Sequence, residues 1–224
     1  RQAPASHVHA QSPSSATFIA TRHYETILDE AGLARWIAKL EAAPLACFDT
    51  ETTSLDPMAA QLVGLSFCVQ AGEACYVPLA HRYPGAPDQL DREAVLARLK
   101  PWFESAERRK VGQNAKYDAH VLANHGIAVR GVVHDTLLAS YVLESHQRHD
   151  MDSLAARHLG ARTILYEEVA GKGASGIPFD QVSVERATEY SAEDADVTFQ
   201  LHGALWPRVG SDASSSSQQS ARST

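Results

Sequence analysis

Three apolar segments follow one another with short connections between them, and this order is the strongest constraint on the fold of the chain. They span residues 45–50, 62–69 and 74–79 and are rich in β-branched and aromatic residues, which favour strands. The connections contain Asp56-Pro57 and Ala71-Gly72, which are typical turn pairs. Successive strands joined by short turns pair side by side, so the sequence predicts an antiparallel meander.

Segments with helical spacing surround this meander. Leu33, Trp36, Ile37 and Leu40 recur at intervals of three and four residues after Asp29, a capping residue, and indicate an amphipathic helix. Further helices are predicted over about residues 91–102, 116–125, 136–143, 151–159 and 184–205, and further short strands near residues 110–112 and 132–134. An α/β architecture with a mixed five-stranded sheet flanked by helices is the natural packing for this order.

The two ends of the chain lack such periodicity. Residues 1–22 contain Pro4, Pro13 and a Ser-rich stretch, and residues 210–224 are dominated by Ser, Gln and Ala. Both compositions are typical of linkers or disordered tails. We therefore expect one domain over residues 23–209. The first residue is Arg rather than Met, which suggests a fragment or a processed product.

The composition is that of an ordinary globular protein, with 44% apolar and 21% charged residues. No apolar run approaches the roughly 20 residues that span a bilayer, and no signal peptide is visible, so we expect a cytoplasmic protein. Cys47, Cys68 and Cys75 are odd in number and lack the spacing of a zinc site. They are predicted to be buried free thiols.

The formal charge of −7 argues against a protein that binds nucleic acid through a broad basic surface, because Lys and Arg neutralise phosphates in such proteins. Divalent cations bound to a cluster of carboxylates reverse the local field. A negative net charge is therefore compatible with a phosphodiester substrate that binds at such a cluster.

Two carboxylates, Asp49 and Glu51, lie at the end of the first apolar strand. Strand side chains alternate, so both acids extend from one face. Their mutual repulsion at the end of a buried strand requires compensation, and a cation is the simplest compensator. The alternative is a solvated strand end.

The last predicted helix carries a second acidic position. Tyr190 and Asp194 are four residues apart, and Val197 and Leu201 continue the same apolar face. Asp194 is therefore expected to point inwards. The alternative is that Asp194 is one of several surface acids in residues 189–196, among which we expect Glu193 and Asp196 to be solvated.

A third acid follows a short strand. Gly112 permits a close backbone approach, Asn114 is a candidate cap for the next helix, and Asp118 lies in the first turn of that helix. The positive end of the helix dipole favours an acid there, so an ordinary helix-start acid is the alternative interpretation.

In this order, the acidic positions resemble the exonuclease motifs of the DEDD superfamily. Asp49 and Glu51 match its first motif, Asp118 its second, and Asp194 with Tyr190 its third, which is the form found in the tyrosine subclass. The likeness extends to the 3′-5′ exonuclease (proofreading) domain of bacterial DNA polymerase I. Similar segments are residues 48–52, 111–114, 148–154 and 193–198, and the likeness covers residues 24–209. It implies a ribonuclease H-like fold.

The resemblance also implies two-metal-ion catalysis with Mg²⁺ or Mn²⁺, for which carboxylates are suitable oxygen ligands. It implies that Asp49, Glu51 and Asp194 hold the first ion, that Asp49 bridges to the second, and that Asp118 holds the second mainly through water. Tyr190 is a poor general base as a free phenol, since its reference pKa of about 10 keeps it protonated near neutral pH. We therefore assign it to orienting the attacking water.

By the same resemblance, Thr52 and Leu55 lie near the terminal nucleotide, with Leu55 as an apolar wedge against the base. Tyr166 stands where the family has Phe, and it is a candidate stacking platform. The other positions expected near the strand are Gln113, Asn114, Tyr117 and Arg148. Solvated loop and cap residues are the alternative interpretation of these four. The small residues of 170–176 suggest a mobile segment that closes over DNA.

The implied function is 3′-5′ exonuclease hydrolysis of nucleotides at the 3′ end of single-stranded or frayed DNA. A polymerase domain normally lies in the same chain, and the sequence given does not continue into one after Pro207. We expect a monomer that does not bind membranes. An RNA-trimming exoribonuclease of the same superfamily and a catalytically silent structural domain are the alternatives.

Overall fold

The computed structural model of the protein describes residues 21–220, which form a mixed β-sheet flanked by helices. The sheet has six strands in the order β1-β4-β3-β2-β5-β6. The strands are β1 (His23–Thr26), β2 (Ala46–Thr52), β3 (Leu62–Gln70), β4 (Glu73–Pro78), β5 (Lys110–Gly112) and β6 (Val132–Asp135). The helices are α1 (Glu30–Ala42), α2 (Arg92–Glu104), α3 (Ala115–Ala123), α4 (Thr136–Glu144), α5 (Met151–His158), α6 (Tyr166–Ala170) and α7 (Val184–Ser220), with short 3₁₀ helices at Gly173–Ser175 and Phe179–Gln181.

The predicted meander is confirmed, since β3 pairs antiparallel with both β2 and β4. The predicted count of five strands is wrong, because β1 adds a sixth strand that pairs parallel with β4 at the sheet edge. This strand has only four residues, and its partner lies about fifty positions further along the chain. Its pairing is set by tertiary contacts that no local pattern reveals.

Helices cover both faces of the sheet. On one face, α1 and α2 pack over the central strands, where Phe48 and Phe67 make edge-to-face contacts with Trp102. On the other face, Ala192 and Ala195 of α7 pack against strand residues of the sheet. The sheet is therefore buried on both sides, which explains why β3 is apolar along most of its length and why β2 is apolar up to Phe48.

Helix α7 is longer than expected. It passes through Pro207 and is helical to Ser220, beyond the predicted end near residue 205. Pro207 removes one backbone donor from the helix but does not end it. Residues 1–20 and 221–224 lie outside the described residues. The linker over 1–22, the domain bounds and the disordered tail over 210–224 stay predictions.

Two acids that were expected to be solvated are buried, so that prediction is wrong. Asp196 has no exposed surface and accepts hydrogen bonds from the Tyr24 hydroxyl and the Gly72 amide, both at 2.8 Å. Glu193 is 1% exposed and is paired with Arg22. The reason is that β1 and the β3–β4 turn supply the donors to Asp196, while Arg22 and the amide of Ile164 supply those to Glu193.

All three cysteines are free and buried, as expected. Within residues 21–220, no helix combines the length and the apolar character that a membrane span requires.

Candidate active site

The site is built on the end of β2. Asp49 pairs in register with Ser66 of β3, and Glu51 pairs with Gly64, so the two acids extend from the same face of the sheet. That face is the one covered by α7. Glu51 is 7% exposed, and Asp49 is partly buried. The strand therefore presents two carboxylates to the helix.

Helix α7 brings the third carboxylate to this position. Oxygen atoms of Asp49, Glu51 and Asp194 lie within 4.8 Å of one another, and the three side chains form a group that could hold a metal ion. Asp194 is 7% exposed. Carboxylate oxygens are hard ligands suited to Mg²⁺ or Mn²⁺. The predicted convergence of these acids from β2 and α7 is therefore present in the structure.

Asp118 lies beside this group but is held differently. It is 1% exposed, and its Oδ1 atom accepts hydrogen bonds from the Thr50 amide at 3.1 Å and the Thr50 hydroxyl at 2.6 Å. Its Oδ2 atom is buried and has no hydrogen-bond partner among the described residues. A buried carboxylate oxygen without a donor is a position that a cation, or water bound to one, would satisfy.

Burial and mutual repulsion raise the pKa values of all four carboxyl groups. Burial raises the pKa of Glu51 to about 7, against a hydrogen bond from Ser191 that lowers it. Burial, followed by repulsion from Glu51, raises the pKa values of Asp49 and Asp194 well above the usual range. Burial and the charge of Asp49 do the same for Asp118. Without a counter-charge the cluster is electrostatically unfavourable, which is the property of a cation site.

Tyr190 lies one helical turn before Asp194 on α7. Burial, together with the negative charges of Asp194 and Glu51, raises the pKa of its phenol far above the usual value. The phenol is therefore protonated at neutral pH in the metal-free domain, and its hydroxyl can donate or accept a hydrogen bond. Its ring lies edge-on to that of Tyr166, with the centroids 6.2 Å apart.

Ser191 is a site residue that the sequence did not indicate. Its hydroxyl donates a 2.7 Å hydrogen bond to Oε1 of Glu51, and the residue is fully buried. No local signal distinguishes this serine from any other helical serine. Only its position, three residues before Asp194, could have suggested that it faces the same cluster.

These groups lie in an open cleft with a volume of about 450 Å³. Every residue expected in the site lines this cleft except Arg148. The lining residues are Asp49, Thr50, Glu51, Thr52, Thr53, Ser54, Leu55, Gln113, Asn114, Tyr117, Asp118, Tyr166, Tyr190 and Asp194. Their placement is that of a single site, and their individual roles stay predictions.

One side of the cleft combines a hydroxyl network with exposed apolar surface. Thr52 Oγ1 and the Tyr117 hydroxyl are 2.6 Å apart, and Tyr117 also donates to the carbonyl of Ser54. These bonds tie the loop after β2 to α3. Leu55 lies on that loop and is 96% exposed, and Tyr166 across the cleft is 47% exposed. Both are therefore accessible to a ligand.

Asn114 lies at the N-cap position of α3, as predicted, but its side chain does not cap the helix. Asn114 has a left-handed backbone conformation (φ 60°), and its side chain makes no cap hydrogen bond in the described structure. The amides of Asn114 and Ala115 donate to the carboxylate of Asp135 at 3.2 and 2.9 Å. A charged carboxylate from the adjacent strand end is a stronger acceptor than the amide oxygen of Asn114.

Arg148 lies outside the residues that line the cleft in the described structure. Its side chain is 83% exposed and pairs with Asp150 at 3.0 Å. The side-chain amide of Gln113 donates a 3.0 Å hydrogen bond to the backbone carbonyl of His149, the residue after Arg148. The loop that carries Arg148 is therefore tied to the cleft wall, although the guanidinium itself is directed to solvent.

A 3′-5′ exonuclease family model matches residues 24–210. The chain belongs to this family of 3′-5′ exonucleases. The exonuclease domain is similar to DNA polymerase I of Pseudomonas aeruginosa, with 58% identity over 189 residues, which cover 83% of this chain and 21% of that protein. DNA polymerase I of Rhizobium leguminosarum is 43% identical over 204 residues, which cover 83% of this chain and 20% of that protein. The exonuclease domain thus spans about a fifth of the length of these relatives.

Solved structures share the fold of the exonuclease domain at low sequence identity. The POL domain of Pol1 from M. smegmatis, in complex with DNA primer-template and dNTP, has a TM-score of 0.60 and 21% identity, covering 82% of this chain and 27% of that chain. RNase D of Trypanosoma brucei, in complex with RNA U12, has a TM-score of 0.63 and 16% identity, and the match covers 81% of this chain and 62% of that chain. These likenesses support the ribonuclease H-like α/β fold.

Proposed function

We propose that this exonuclease domain removes nucleotides one at a time from the 3′ end of single-stranded or frayed DNA, as the proofreading domain of a family A DNA polymerase. The observation that carries the proposal is the convergence of Asp49, Glu51 and Asp194 to within 4.8 Å beside Tyr190 in an open cleft. The similarity to DNA polymerase I supports DNA as the substrate. A polymerase domain as partner, a monomeric state and a cytoplasmic location belong to the same proposal.

The residues present fit two divalent cations, Mg²⁺ or Mn²⁺. The donor set consists of hard carboxylate oxygens, and Asp118 contributes a buried oxygen that lacks a hydrogen-bond donor. Asp49, Glu51 and Asp194 would hold one ion, and Asp49 with Asp118 the other. Such ions make water nucleophilic near neutral pH and stabilise the charge on the leaving 3′ oxygen.

The chain's own groups orient the substrate and the water. The Tyr190 phenol stays protonated at neutral pH, so it orients the attacking water by a hydrogen bond and does not remove its proton. Thr52 and Tyr117 lie beside the terminal nucleotide. Exposed Leu55 and the ring of Tyr166 contact the bases without discriminating among them, because every base presents an apolar face. Gln113, Asn114 and Arg148 border the path of the strand.

A nuclease assay with a 5′-labelled single-stranded DNA oligonucleotide tests the proposal. With Mg²⁺ or Mn²⁺, the intact domain should yield a ladder that shortens stepwise. Chelation and Asp194→Ala should abolish it, whereas Glu189→Ala, which alters an exposed acid on the same helix, should not. A metal-supplied domain that leaves the oligonucleotide intact would support a silent domain and contradict the proposal.

A matched RNA oligonucleotide tests the choice of substrate. Carboxylates that bind cations do not by themselves distinguish the two sugars, since the 2′-hydroxyl must be contacted for discrimination. We expect faster shortening of DNA. Faster shortening of RNA under the same conditions would instead identify an RNA-trimming exonuclease.

A further inference from the structure

Ser191 makes an unusual hydrogen bond for a serine inside a helix. Buried helical serines commonly donate to the backbone carbonyl four residues earlier. The Ser191 hydroxyl instead donates across the interface between α7 and β2 to Oε1 of Glu51, at 2.7 Å. Ser191 is fully buried and Glu51 is 7% exposed, so solvent competes little for the hydrogen bond between them.

We propose that Ser191 is a positioning residue that orients Glu51 for cation binding, an inference that rests on the proposed metal-dependent function. Glu51 lies within 4.8 Å of the like-charged Asp49 and Asp194. Repulsion among the three disfavours their convergence before a cation arrives. A hydrogen bond to a carboxylate is stronger than one between neutral groups, and it opposes rotation of Glu51 away from the cluster.

The hydrogen bond also makes the two oxygens of Glu51 different, because only Oε1 accepts it. The serine hydroxyl uses one lone pair of Oε1, so Oε2 and the second lone pair of Oε1 can contact a cation. Residues that orient metal ligands in this way are characteristic of metal sites, where a hydrogen bond to one atom of a ligand fixes the direction of the other.

The position of Ser191 on α7 couples it to the rest of the site. It follows Tyr190 directly and precedes Asp194 by three residues, so one turn of helix holds the donor to Glu51 at a fixed spacing from the two cleft residues. The spacing between Ser191 and Asp194 is therefore set by a helix rather than by a loop. Loss of the serine hydroxyl frees Glu51 alone, while Tyr190 and Asp194 keep their places.

Mn²⁺ binding without DNA, followed by electron paramagnetic resonance on the intact chain, tests this role directly. Ser191→Ala should weaken Mn²⁺ binding about tenfold, which is the usual size of such effects, and should leave kcat at saturating Mn²⁺ nearly unchanged. Thr188→Val is the matched control. It removes another buried hydroxyl of α7, whose partner at 2.8 Å is Thr26 on β1 rather than a carboxylate, and it should bind Mn²⁺ like the wild type.

Ser191→Cys keeps the side-chain volume with a weak donor, and it supplies the test if the alanine variant does not fold. Equal Mn²⁺ affinity of the wild type and either Ser191 variant would overturn the inference, as would equal weakening by Thr188→Val. Both outcomes leave the proposed function intact, provided that the wild type binds Mn²⁺ and shortens DNA. A wild type that does neither would overturn the function and, with it, this role of Ser191.

Discussion

Thr50 holds Asp118 through two hydrogen bonds to the same carboxylate oxygen, from its amide at 3.1 Å and from its hydroxyl at 2.6 Å. Asp118 belongs to α3, and Thr50 lies on β2 between Asp49 and Glu51. The fourth acid of the site is therefore anchored to the strand that carries the first two. This anchoring leaves the second oxygen of Asp118 buried and without a donor among the described residues.

Thr50→Val should lower the exonuclease rate at limiting Mg²⁺ roughly tenfold, the usual effect of removing a partner that orients a metal ligand. Valine keeps the shape of threonine and removes only the hydroxyl. The measurement is the initial rate on single-stranded DNA as a function of Mg²⁺ concentration. A higher Mg²⁺ requirement is expected, because Asp118 is less well oriented.

Thr198→Val is the control for this substitution. Thr198 is buried on α7, and its hydroxyl contacts the sulfur of Met151 rather than a carboxylate. The exonuclease rate of the Thr198→Val variant should depend on the Mg²⁺ concentration as that of the wild type does. An unchanged Mg²⁺ dependence of Thr50→Val would show that the hydroxyl does not orient Asp118 for cation binding.

The contribution of the carboxylate cluster to the stability of the metal-free domain should fall as the pH rises from about 5 to about 8, because the folded-state pKa values in the cluster are raised. For Glu51, burial raises the pKa from 4.5 to about 7. Its contribution to stability is fully present below about pH 4.5, declines as the pH rises, and is lost above about pH 7. Asp49 and Asp194 shift in the same direction. The midpoint of thermal unfolding in chelator measures this effect.

Mn²⁺ should restore stability most strongly at the higher pH, where the carboxylates are charged. Glu51→Gln should flatten the pH dependence in chelator, since glutamine does not titrate. Glu144 and Asp150, whose pKa values are lowered by arginine partners and hydrogen bonds, titrate below this window. Burial lowers the pKa values of five histidines, which makes stability rise with pH in both proteins, so the comparison with Glu51→Gln isolates the cluster; they are His81, His125, His134, His158 and His202. A difference in midpoint between the wild type and Glu51→Gln that stays constant from pH 5 to 8 would refute the electrostatic account of the cluster.

Asp196→Ala should destabilise the domain by about 3 kcal/mol, which is typical for breaking a buried hydrogen-bond network. The fully buried carboxylate accepts hydrogen bonds from Tyr24, Gly72 and Gln200, and its removal takes an acceptor away from each of these donors. Urea unfolding measures the change. Glu189→Ala, at an exposed position on the same helix, should stay within about 0.5 kcal/mol of the wild type. Similar effects of the two would contradict the structural role of Asp196.

Tyr190→Phe should lower kcat by about one to two orders of magnitude, the size expected when a hydrogen bond to a charged group of roughly 1.5–3 kcal/mol is lost. Mn²⁺ affinity should be retained, because the phenol is not an expected ligand. Phenylalanine keeps the ring that lies edge-on to Tyr166. Wild-type kcat in this variant would exclude the hydroxyl from the reaction.

The sequence predicts the parts of the site that local patterns and family motifs encode. Asp49 and Glu51 follow an apolar strand, and Tyr190 and Asp194 share the apolar face of a long helix, so their inward direction is visible in the spacing. Their convergence was expected from the family resemblance. The contact between β2 and α7 depends on how the strands assemble into the sheet and on which face α7 packs, and local periodicity specifies neither.

The features that the sequence missed depend on distant partners. Strand β1 pairs with β4 at the sheet edge, and Asp196 is buried because Tyr24 and Gly72 surround it. Ser191 is identified only by its distance to Glu51. Each of these contacts joins segments that are far apart in the chain, and a single sequence carries no signal for them.

The most direct test of the account is a crystal structure of the domain with Mn²⁺, in which anomalous scattering locates the ion. The account predicts a peak at about 2.0–2.3 Å from oxygens of Asp49, Glu51 and Asp194, a distance typical of hard divalent cations. It further predicts that Asp194→Ala removes the peak. A fully occupied Mn²⁺ elsewhere, with these three carboxylates bare or directed apart, would contradict the assignment of this cleft as the active site.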